Sequence, residues 1–324
     1  MESLFQPFLT IGIPTYKRPN RLKDLLTSLA NQIGLNPIDF EVIISDNHSQ
    51  DLTENIVNEF KNVIPNLKYY CNSSNIGPDR NIRSVIDKSA GKFVWVLPDD
   101  DFIADNSSVK NIILEIRNCK IEPSLIILNS AIAKLGSKEI LKPKTINING
   151  NIFLENGLDI LFAASDMDIL AVNKLILKRN AFPGAFEQKN IGNGNTGPIA
   201  MALTAASHGP ALIISNIYTY YGEGDSALWR KKWGYIYYIE IIKTLNEAVI
   251  ELGLDKVHVD MLIEKKKQIS ISDVVAPIDF ILQRNNFSWR GLAEIYGVNW
   301  VFWNLLQSPY YMISLLKIFK RNKK

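Results

Sequence analysis

Short apolar runs alternate with amphipathic stretches along the first part of the chain. Runs rich in Ile, Val and Leu are typical of buried strands, whereas apolar residues three and four apart, such as Leu22, Leu25 and Leu29, are typical of helices. We expect Asn20 to cap the first helix and Pro14 to end the first strand. The pattern predicts strands at 8–13, 40–46, 67–72, 92–98 and 124–132, and helices at 20–32, 49–60, 78–89 and 107–118.

This alternation predicts an α/β fold in which helices cover both faces of a mostly parallel sheet. Ligands of such sheets bind beyond the carboxyl ends of the strands. Those ends carry polar clusters at 14–18, 46–49, 72–77 and 99–101. We therefore expect these four clusters to meet on one rim of the sheet.

After about residue 133 the pattern is less regular. Loop and edge strand are predicted for 142–153, and one further strand within 168–182. A helix at 198–209 and a strand at 210–221 follow, and residues 229–285 are predicted to be helical.

The composition is that of an ordinary globular protein, with 324 residues, 47% of them hydrophobic and 21% charged. The net charge of +3 is small and gives no reason to expect a nucleic-acid partner. Cys71 and Cys119 form no CxxC motif, so we expect neither a disulfide framework nor a zinc site, as is usual in a reducing cytosol.

The N-terminus lacks the basic start and the cleavage site of a signal peptide. No stretch is apolar enough to predict a helix that spans a membrane. Residues 298–324 combine aromatic and apolar residues with a basic end. This predicts a segment that lies on an anionic membrane surface, and a helix packed on the rest of the protein is the alternative.

Three consecutive carboxylates, Asp99, Asp100 and Asp101, end the predicted strand 92–98. Carboxylate oxygens are the ligands that Mg²⁺ and Mn²⁺ prefer. A metal ion held here would neutralise a departing diphosphate. The alternative is a solvated loop.

Two other clusters suggest contacts with a nucleotide. Asp46 ends a strand and could accept a hydrogen bond from a base or a ribose hydroxyl, or it could simply form a turn. Residues 72–81 include Gly77 and lead into a helix start with Arg80 and Arg83, which could approach a phosphate or a sugar. The alternative is an ordinary turn before a helix.

Other enzyme classes lack their motifs. The first strand is not followed by GxGxxG, and GxxxxGK[ST] is absent from the sequence, which argues against dinucleotide redox enzymes and P-loop NTPases. The three histidines are scattered, and no Ser-His-Asp set is evident. A nucleotidyltransferase would need a glycine-rich first loop, but this loop is PTYKRPNR.

Three stretches together resemble family 2 glycosyltransferases of the GT-A fold, which is Rossmann-like. They are IGIPTYKRPNRLKDLLTSLANQ, FEVIISDNHSQDLTENIV and NSSNIGPDRNIRSVIDKSAGKFVWVLPDDD. A weaker likeness to bacterial enzymes of O-antigen and capsule synthesis continues through LILKRNAF and GEGDSALWRKKW. The resemblance implies transfer of a hexose or deoxyhexose from a nucleotide-sugar donor to a growing, lipid-diphosphate-linked glycan, with Mn²⁺ or Mg²⁺ as cofactor.

The resemblance also implies roles for individual residues. Asp46 would bind the base, and Asp99 and Asp101 would bind the metal in the DXD region, where Pro98 replaces the usual first aspartate. The residues expected to bind the nucleotide sugar are Pro14, Thr15, Tyr16, Arg18, Asp46, Asn47, Ser49, Asn75, Gly77, Asp79, Arg80, Asn81, Asp99 and Asp100.

The expected general base is less clear. Inverting family members usually carry a Glu-Asp pair before the helix that here begins at Pro198, but this chain has NIGNGNTGP. Glu187 is the nearest acid and, with Asp100, the catalytic candidate; Asp166 and Asp168 are alternatives. A retaining reaction, or a catalytically inactive relative that binds sugar or scaffolds an assembly, would also explain the missing pair.

The resemblance finally suggests how the chain is organised. We predict a GT-A catalytic domain at 1–228, with a nucleotide-binding half at about 8–105 and an acceptor half at about 106–228, followed by a helical region at 229–324. We expect a cytoplasmic enzyme that is peripheral on the inner face of the membrane.

Overall fold

The computed structural model describes residues 6–134, 139–163, 171–181, 197–223, 241–257, 259–261 and 263. The chain divides into two compact units, Met1–Ser226 with Ile250–Leu254, and Ala227–Val249 with Asp255–Lys324. All the strands described below belong to the first unit.

The structure confirms most of the predicted strands and helices. The strands are β1 (Leu9–Thr15), β2 (Phe40–Asp46), β3 (Leu67–Cys71), β4 (Phe93–Val96), β5 (Phe102–Ile103), β6 (Leu125–Lys134), β7 (Ile140–Lys142), β8 (Ile152–Leu154), β9 (Leu175–Lys178) and β10 (Ala211–Glu223). The α-helices are α1 (Pro19–Ala30), α2 (Thr53–Phe60), α3 (Pro78–Lys88), α4 (Ser108–Arg117), α5 (Ile160–Ala163), α6 (Gly197–Ala206) and α7 (Ile241–Leu252). Short 3₁₀ turns lie at Pro37–Asp39, Gly157–Asp159, Val172–Lys174 and Arg179–Ala181.

In the described residues the strands form one sheet in the order β3-β2-β1-β4-β9-β6-β10-β5, with β7 on β6 and β8 on β10. Strands β3, β2, β1 and β4 are parallel to one another, and β6 is parallel to β10. Strand β9 joins these two parallel groups and is antiparallel to both. The α/β prediction is confirmed, and the direction of β9 is an addition to it.

The core lies where the apolar runs predicted it. Every residue of β2 is buried, and so is β1 apart from half-buried Pro14. Helix α1 buries its four leucines in the same core cluster as Ile11 and Ile13 of β1. Burial of one such side chain contributes about 1.5–3 kcal/mol, so this face of α1 holds the helix on the sheet.

Gly12 allows α3 to pack closely on β1. A Cβ at this position would overlap the side chain of Val85, which is fully buried in α3. Because a β-branched side chain has little rotamer freedom in a helix, Val85 could not move aside easily. The glycine therefore lets the later turns of α3 pack closely on the middle of β1.

Two predicted boundaries at the first loop were wrong. Strand β1 continues through Pro14 to Thr15, because its pairing with β4 stops at Gly12, and the missing N–H of the proline costs no hydrogen bond there. Helix α1 begins at Pro19 with Arg18 in the N-cap position, so Asn20 lies inside the helix.

Other differences arise from side chains near strand ends. Helix α2 begins at Thr53 instead of residue 49, because His48 and Gln50 have left-handed backbone and Asp51 Oδ1 accepts hydrogen bonds from the Thr53 amide and hydroxyl. Strand β4 ends at Val96, and the unpredicted β5 follows the acidic triplet.

The predicted helical region at 229–285 is described only in part, and α7 confirms a helix there. Among the residues the structure describes, none of the helices has the length and apolar character needed to cross a membrane. Our division of the chain into functional domains at residue 228 stays a prediction.

Candidate active site

The carboxyl ends of β1, β2 and β4 meet on one rim of the sheet. Thr15 and Asp46 are paired in register, and the Thr15 carbonyl accepts a hydrogen bond from the Asn47 amide at 2.9 Å. The Asn72 amide in turn donates to the Asp46 carbonyl at 2.9 Å. The polar clusters that the sequence placed at separate strand ends are therefore neighbours.

The first two aspartates of the triplet contact the loop after β1. The Thr15 hydroxyl donates to Asp99 Oδ2 at 2.6 Å. Arg18 Nη1 donates to Asp99 Oδ1 at 3.1 Å and to Asp100 Oδ2 at 2.9 Å. Arg21 Nη1 lies 3.5 Å from Asp100 Oδ2. Two guanidinium groups therefore provide positive charge on this side of the triplet.

Burial decides the protonation of Asp99. It raises the pKa of Asp99 to about 6, although the Thr15 hydroxyl and the Arg18 guanidinium both lower it. Burial by itself would lower the pKa of Arg18, but Asp99 and Asp100 raise it. The side chain of Asp99 is 3% exposed and that of Asp100 is 31% exposed, so only Asp100 faces solvent.

Asp101 contacts β10 instead of the first loop. Its Oδ1 accepts a hydrogen bond from the Gly222 amide at 3.0 Å. Burial raises the pKa of Asp101 well above its usual range, Asp100 and Asp99 raise it further, and the Gly222 amide and Lys174 lower it. Lys174 is buried and donates to Thr145 Oγ1 at 2.7 Å.

Sequence reasoning missed the residues around Asp101. Lys174 lies in the 3₁₀ turn before β9, and Gly222 lies near the end of β10, far from the triplet in the chain. Only the pairing of β9 with β4 brings Lys174 close to the end of β4. Because that strand pairing is antiparallel and unpredicted, no local signal could have identified this lysine.

Uncharged amides hold the loops together. Asn47 Nδ2 donates to Asn75 Oδ1 at 2.8 Å, and Asn47 Oδ1 accepts from the Ile76 amide at 2.9 Å. Asn75 Oδ1 also accepts from the amide of Gly77, whose φ of 85° favours glycine. The loops after β2 and β3 therefore form one unit.

Asn81 performs the same task at the start of α3. Its Nδ2 donates to the Ser45 carbonyl at 2.9 Å, and its Oδ1 accepts from the Ser45 hydroxyl at 2.8 Å and from Asn72 Nδ2 at 3.0 Å. Asn81 is buried. Its hydrogen bonds thus anchor α3 to the end of β2 and to the loop after β3.

Asp46 is bound on both oxygens by protein groups. Oδ1 accepts from the Ser49 amide at 3.0 Å and from the Ser49 hydroxyl at 2.5 Å. Oδ2 accepts from the Tyr69 hydroxyl at 2.7 Å. Sequence reasoning included Ser49 but missed Tyr69, which lies on β3.

This rim lies within a segment that matches a known family. Residues 10–146 match the model described as glycosyl transferase family 2. We call residues 10–146 the family 2 domain, after the family whose model they match. The matched residues include β1 from Thr10 onward, β2 to β7 and all three aspartates of the triplet.

Two relatives match about a third of this chain. The abequosyltransferase RfbV of Salmonella typhimurium is 40% identical over 101 residues, 31% of this chain and 30% of the relative. A GalNAc(5)-diNAcBac-PP-undecaprenol beta-1,3-glucosyltransferase of Campylobacter jejuni is 33% identical over 96 residues, 29% of this chain and 30% of the relative. The matching segment thus spans under a third of the length of these relatives.

Two solved structures have the same fold over much more of the chain. S. aureus TarS 1-349 in complex with UDP-GlcNAc gives a TM-score of 0.64 at 16% identity and covers 89% of this chain and 79% of that chain. The mannosyltransferase PcManGT from Pyrobaculum calidifontis, in complex with GDP-Man and Mn²⁺, gives a TM-score of 0.54 at 12% identity and covers 98% of this chain and 85% of that chain. These likenesses confirm the GT-A fold.

Several predicted residues form the open side of the rim in the family 2 domain. Tyr16 is 37% exposed, and the Lys17 ammonium lies 5.3 Å from the centroid of its ring. Arg80 is exposed, and Pro14 and Asp79 are half-buried. The roles of these residues stay predictions.

The remaining predicted residues lie outside the described part of the chain. They are Glu187, Asp166 and Asp168. The general base therefore stays a prediction.

The chemistry of the triplet fits a divalent metal ion. In the described ranges, no group of three or more His, Cys, Asp or Glu side chains is arranged to hold a metal. However, Asp99 and Asp101 are buried carboxylates, and burial raises the pKa of each, so a cation bound beside them would offset the cost of burying their negative charge. Carboxylate oxygens suit a hard cation, and a substrate diphosphate commonly supplies its other ligands.

We expect Thr15→Val to destabilise the protein by about 1–3 kcal/mol at pH 8, because it leaves a buried oxygen of Asp99 without a donor. The cost should be smaller at pH 5. The pKa of Asp99 is raised to about 6, so the carboxylate that needs this donor is ionised above pH 6 and protonated below it. Urea denaturation in metal-free buffer at both pH values measures the difference.

Thr27→Val is the matched control for this change. The Thr27 hydroxyl is on the exposed side of α1 and donates only to the Lys23 carbonyl one turn earlier. Its loss should change stability little at either pH. Equal costs for Thr15→Val at the two pH values would contradict the role we give to Asp99.

Proposed function

We propose that this protein is a glycosyltransferase that moves a hexose or deoxyhexose from a nucleotide-sugar donor to a growing bacterial surface glycan. The observation that carries the proposal is the presence of two buried carboxylates, Asp99, which is paired with Arg18, and Asp101, in a segment that matches the family 2 model. The relatives named above are transferases by their names. They give no support to the alternative of a catalytically inactive relative.

The donor nucleotide would lie across the carboxyl ends of β1 and β2. Asp46 would accept a hydrogen bond from the base, and the exposed ring of Tyr16 offers a flat apolar surface nearby. Asn47 and Asn81 are occupied by loop contacts. Their proposed role is therefore to shape the pocket, whereas the exposed Arg80 is available to the diphosphate.

The diphosphate would lie above the triplet. Arg18 is 41% exposed and Arg21 is 31% exposed, so both guanidinium groups can turn toward a phosphate, for which their planar geometry is suited. Asp99 and Asp101 would hold a divalent metal, which supplies positive charge beside the leaving nucleoside diphosphate. We propose that Asp100, which contacts both arginines, lies on the side of the site that meets the diphosphate.

The acceptor is proposed to be a glycan on a lipid diphosphate. The sequence likeness to enzymes of O-antigen and capsule synthesis supports this, as does the name of the Campylobacter jejuni relative, which contains a diphosphate-linked undecaprenol. Residues at about 106–228 would form the acceptor half of a catalytic domain that covers 1–228.

We expect Asp101→Asn to slow the release of nucleoside diphosphate from nucleotide sugars by on the order of 100-fold or more, because lost metal stabilisation of the leaving group is worth several kcal/mol. The variant keeps an oxygen for the Gly222 amide. A panel of UDP-, dTDP-, CDP- and GDP-sugars with Mn²⁺, and with EDTA, measures the release.

Asp24→Asn, an exposed carboxylate on α1, is the matched control and should retain wild-type rates. Release that is unchanged by Asp101→Asn and by EDTA would rule out the metal-assisted mechanism. No release from any donor by the wild-type protein would count against a transferase.

We propose Glu187 as the general base. Glu187→Gln should lower kcat by about 10²–10⁴-fold, the usual contribution of a general base, and should leave the dissociation constant of the nucleotide unchanged. Asp166→Asn and Asp168→Asn should stay near the wild-type rate. If one of these two loses activity instead, that residue is the base and Glu187 is not.

We also propose that the protein works at the cytoplasmic face of the membrane and binds it through 298–324. Replacing the five basic residues of the C-terminal KIFKRNKK by Gln should weaken binding to phosphatidylglycerol vesicles at least about tenfold, because each basic residue near an anionic surface contributes about 1 kcal/mol. Sedimentation with the vesicles measures binding, and phosphatidylcholine vesicles give the baseline.

The matched control replaces five exposed lysines elsewhere by Gln, namely Lys61, Lys110, Lys120, Lys142 and Lys256. It carries the same net charge as the C-terminal variant. Equal loss in both variants would show that total charge, and not the C-terminal segment, attracts the protein to the vesicles.

A further inference from the structure

The carboxylate of Asp46 has almost no capacity left for a ligand. Asp46 is 1% exposed, at the end of β2. Ser49 donates two hydrogen bonds to Oδ1, and Tyr69 donates one to Oδ2. An ionised carboxylate offers about four lone-pair positions, two on each oxygen. One position therefore stays open, and it is on Oδ2.

Strand geometry holds Tyr69 in place. Cys71 is the register partner of Asp46, and Tyr69 precedes it by two residues, so the tyrosine approaches Asp46 diagonally on the same face of the sheet. Burial, and then the hydrogen bond to Asp46, raise the pKa of Tyr69 well above its usual value. The hydroxyl therefore keeps its proton and remains a donor.

Ser49 is held just as firmly on the other oxygen. Its backbone amide and its hydroxyl both point to Asp46 Oδ1, and its Oγ accepts a hydrogen bond from the Lys17 amide at 2.8 Å. Lys17 has a left-handed backbone, with φ of 54°, so this contact belongs to a defined turn of the first loop. Oδ1 is consequently saturated by the protein.

Nucleotide bases differ in what they present to such an acceptor. Uracil and thymine offer one N–H, at N3, between two carbonyl groups, and cytosine offers its amino group beside an unprotonated ring nitrogen. Guanine offers two adjacent and parallel N–H groups, at N1 and N2, which match both oxygens of a free carboxylate. A carboxylate with one free lone-pair position can accept the single hydrogen bond that a pyrimidine base offers. With guanine it would leave one of the two N–H groups, at N1 or N2, without an acceptor, which is costly in a buried site.

We propose that Ser49 and Tyr69 restrict Asp46 to a single open acceptor position and thereby select a pyrimidine nucleotide donor against a guanine nucleotide. The inference rests on the proposed function, in which Asp46 meets the base. The fold alone does not decide the base, since the solved structures described above hold UDP-GlcNAc in one case and GDP-Man in the other. Tyr69 is thus a positioning residue that sets specificity through Asp46.

Calorimetric titration of the full chain with UDP, dTDP, CDP and GDP, each with Mn²⁺, tests the selection. At least one pyrimidine nucleotide should bind tenfold or more tightly than GDP. GDP binding as tightly as all three pyrimidine nucleotides would overturn the inference while leaving the proposed function intact. Failure of all four nucleotides to bind would overturn the proposed function, and the inference with it.

Tyr69→Phe tests the part played by the tyrosine. The change opens a second position on Oδ2 and lets the carboxylate turn, so the ratio of the GDP dissociation constant to that of the best pyrimidine nucleotide should fall several-fold. Tyr70→Phe, at the next position and 36% exposed, should leave the ratio unchanged. If Tyr69→Phe weakens all nucleotides equally and the ratio is constant, the tyrosine has only a structural role and the inference is wrong.

Discussion

The hydrogen bond from the Thr15 hydroxyl to Asp99 is the contact on which this rim depends. Backbone pairing between β1 and β4 stops at Gly12, and the last link is the Leu97 amide donating to the Gly12 carbonyl. Beyond that point only side chains join the two strands. Because a buried carboxylate without partners is very costly, Thr15 and Arg18 are obligatory neighbours of Asp99, and the first loop is held against the acidic turn.

Uncharged amides hold two further parts of the rim. Asn47 joins the loops after β2 and β3, and Asn81 joins α3 to β2. Amides donate and accept at any physiological pH, and hydrogen bonds between them depend little on salt. These two connections are therefore independent of the charges on the aspartates and arginines. Such support is what a preorganised site requires.

The order of strands and helices in the first unit could be predicted because each apolar run marks one buried strand, and the parallel rim followed from it. The predicted start of a helix was wrong where a side chain accepts a hydrogen bond from the backbone, as Asp51 does at the start of α2. Tyr69 and Lys174 could not be predicted. Each reaches its aspartate through strand pairing, and a tyrosine on an edge strand or a lysine before a strand has no distinctive local pattern.

The positively charged side chains near Asp100 and those near Asp101 differ in their exposure to solvent. Arg18 is 41% exposed, so its ion pair with Asp100 is screened by water and contributes little to stability. A diphosphate can therefore replace Asp100 as a partner of Arg18 at small cost, whereas loss of the contact between Arg18 and the buried Asp99 would be costly. Lys174, which lowers the pKa of Asp101, is buried and bound to Thr145. The fold fixes the position of Lys174 beside Asp101, whereas the partly exposed Arg18 beside Asp100 is available to a ligand.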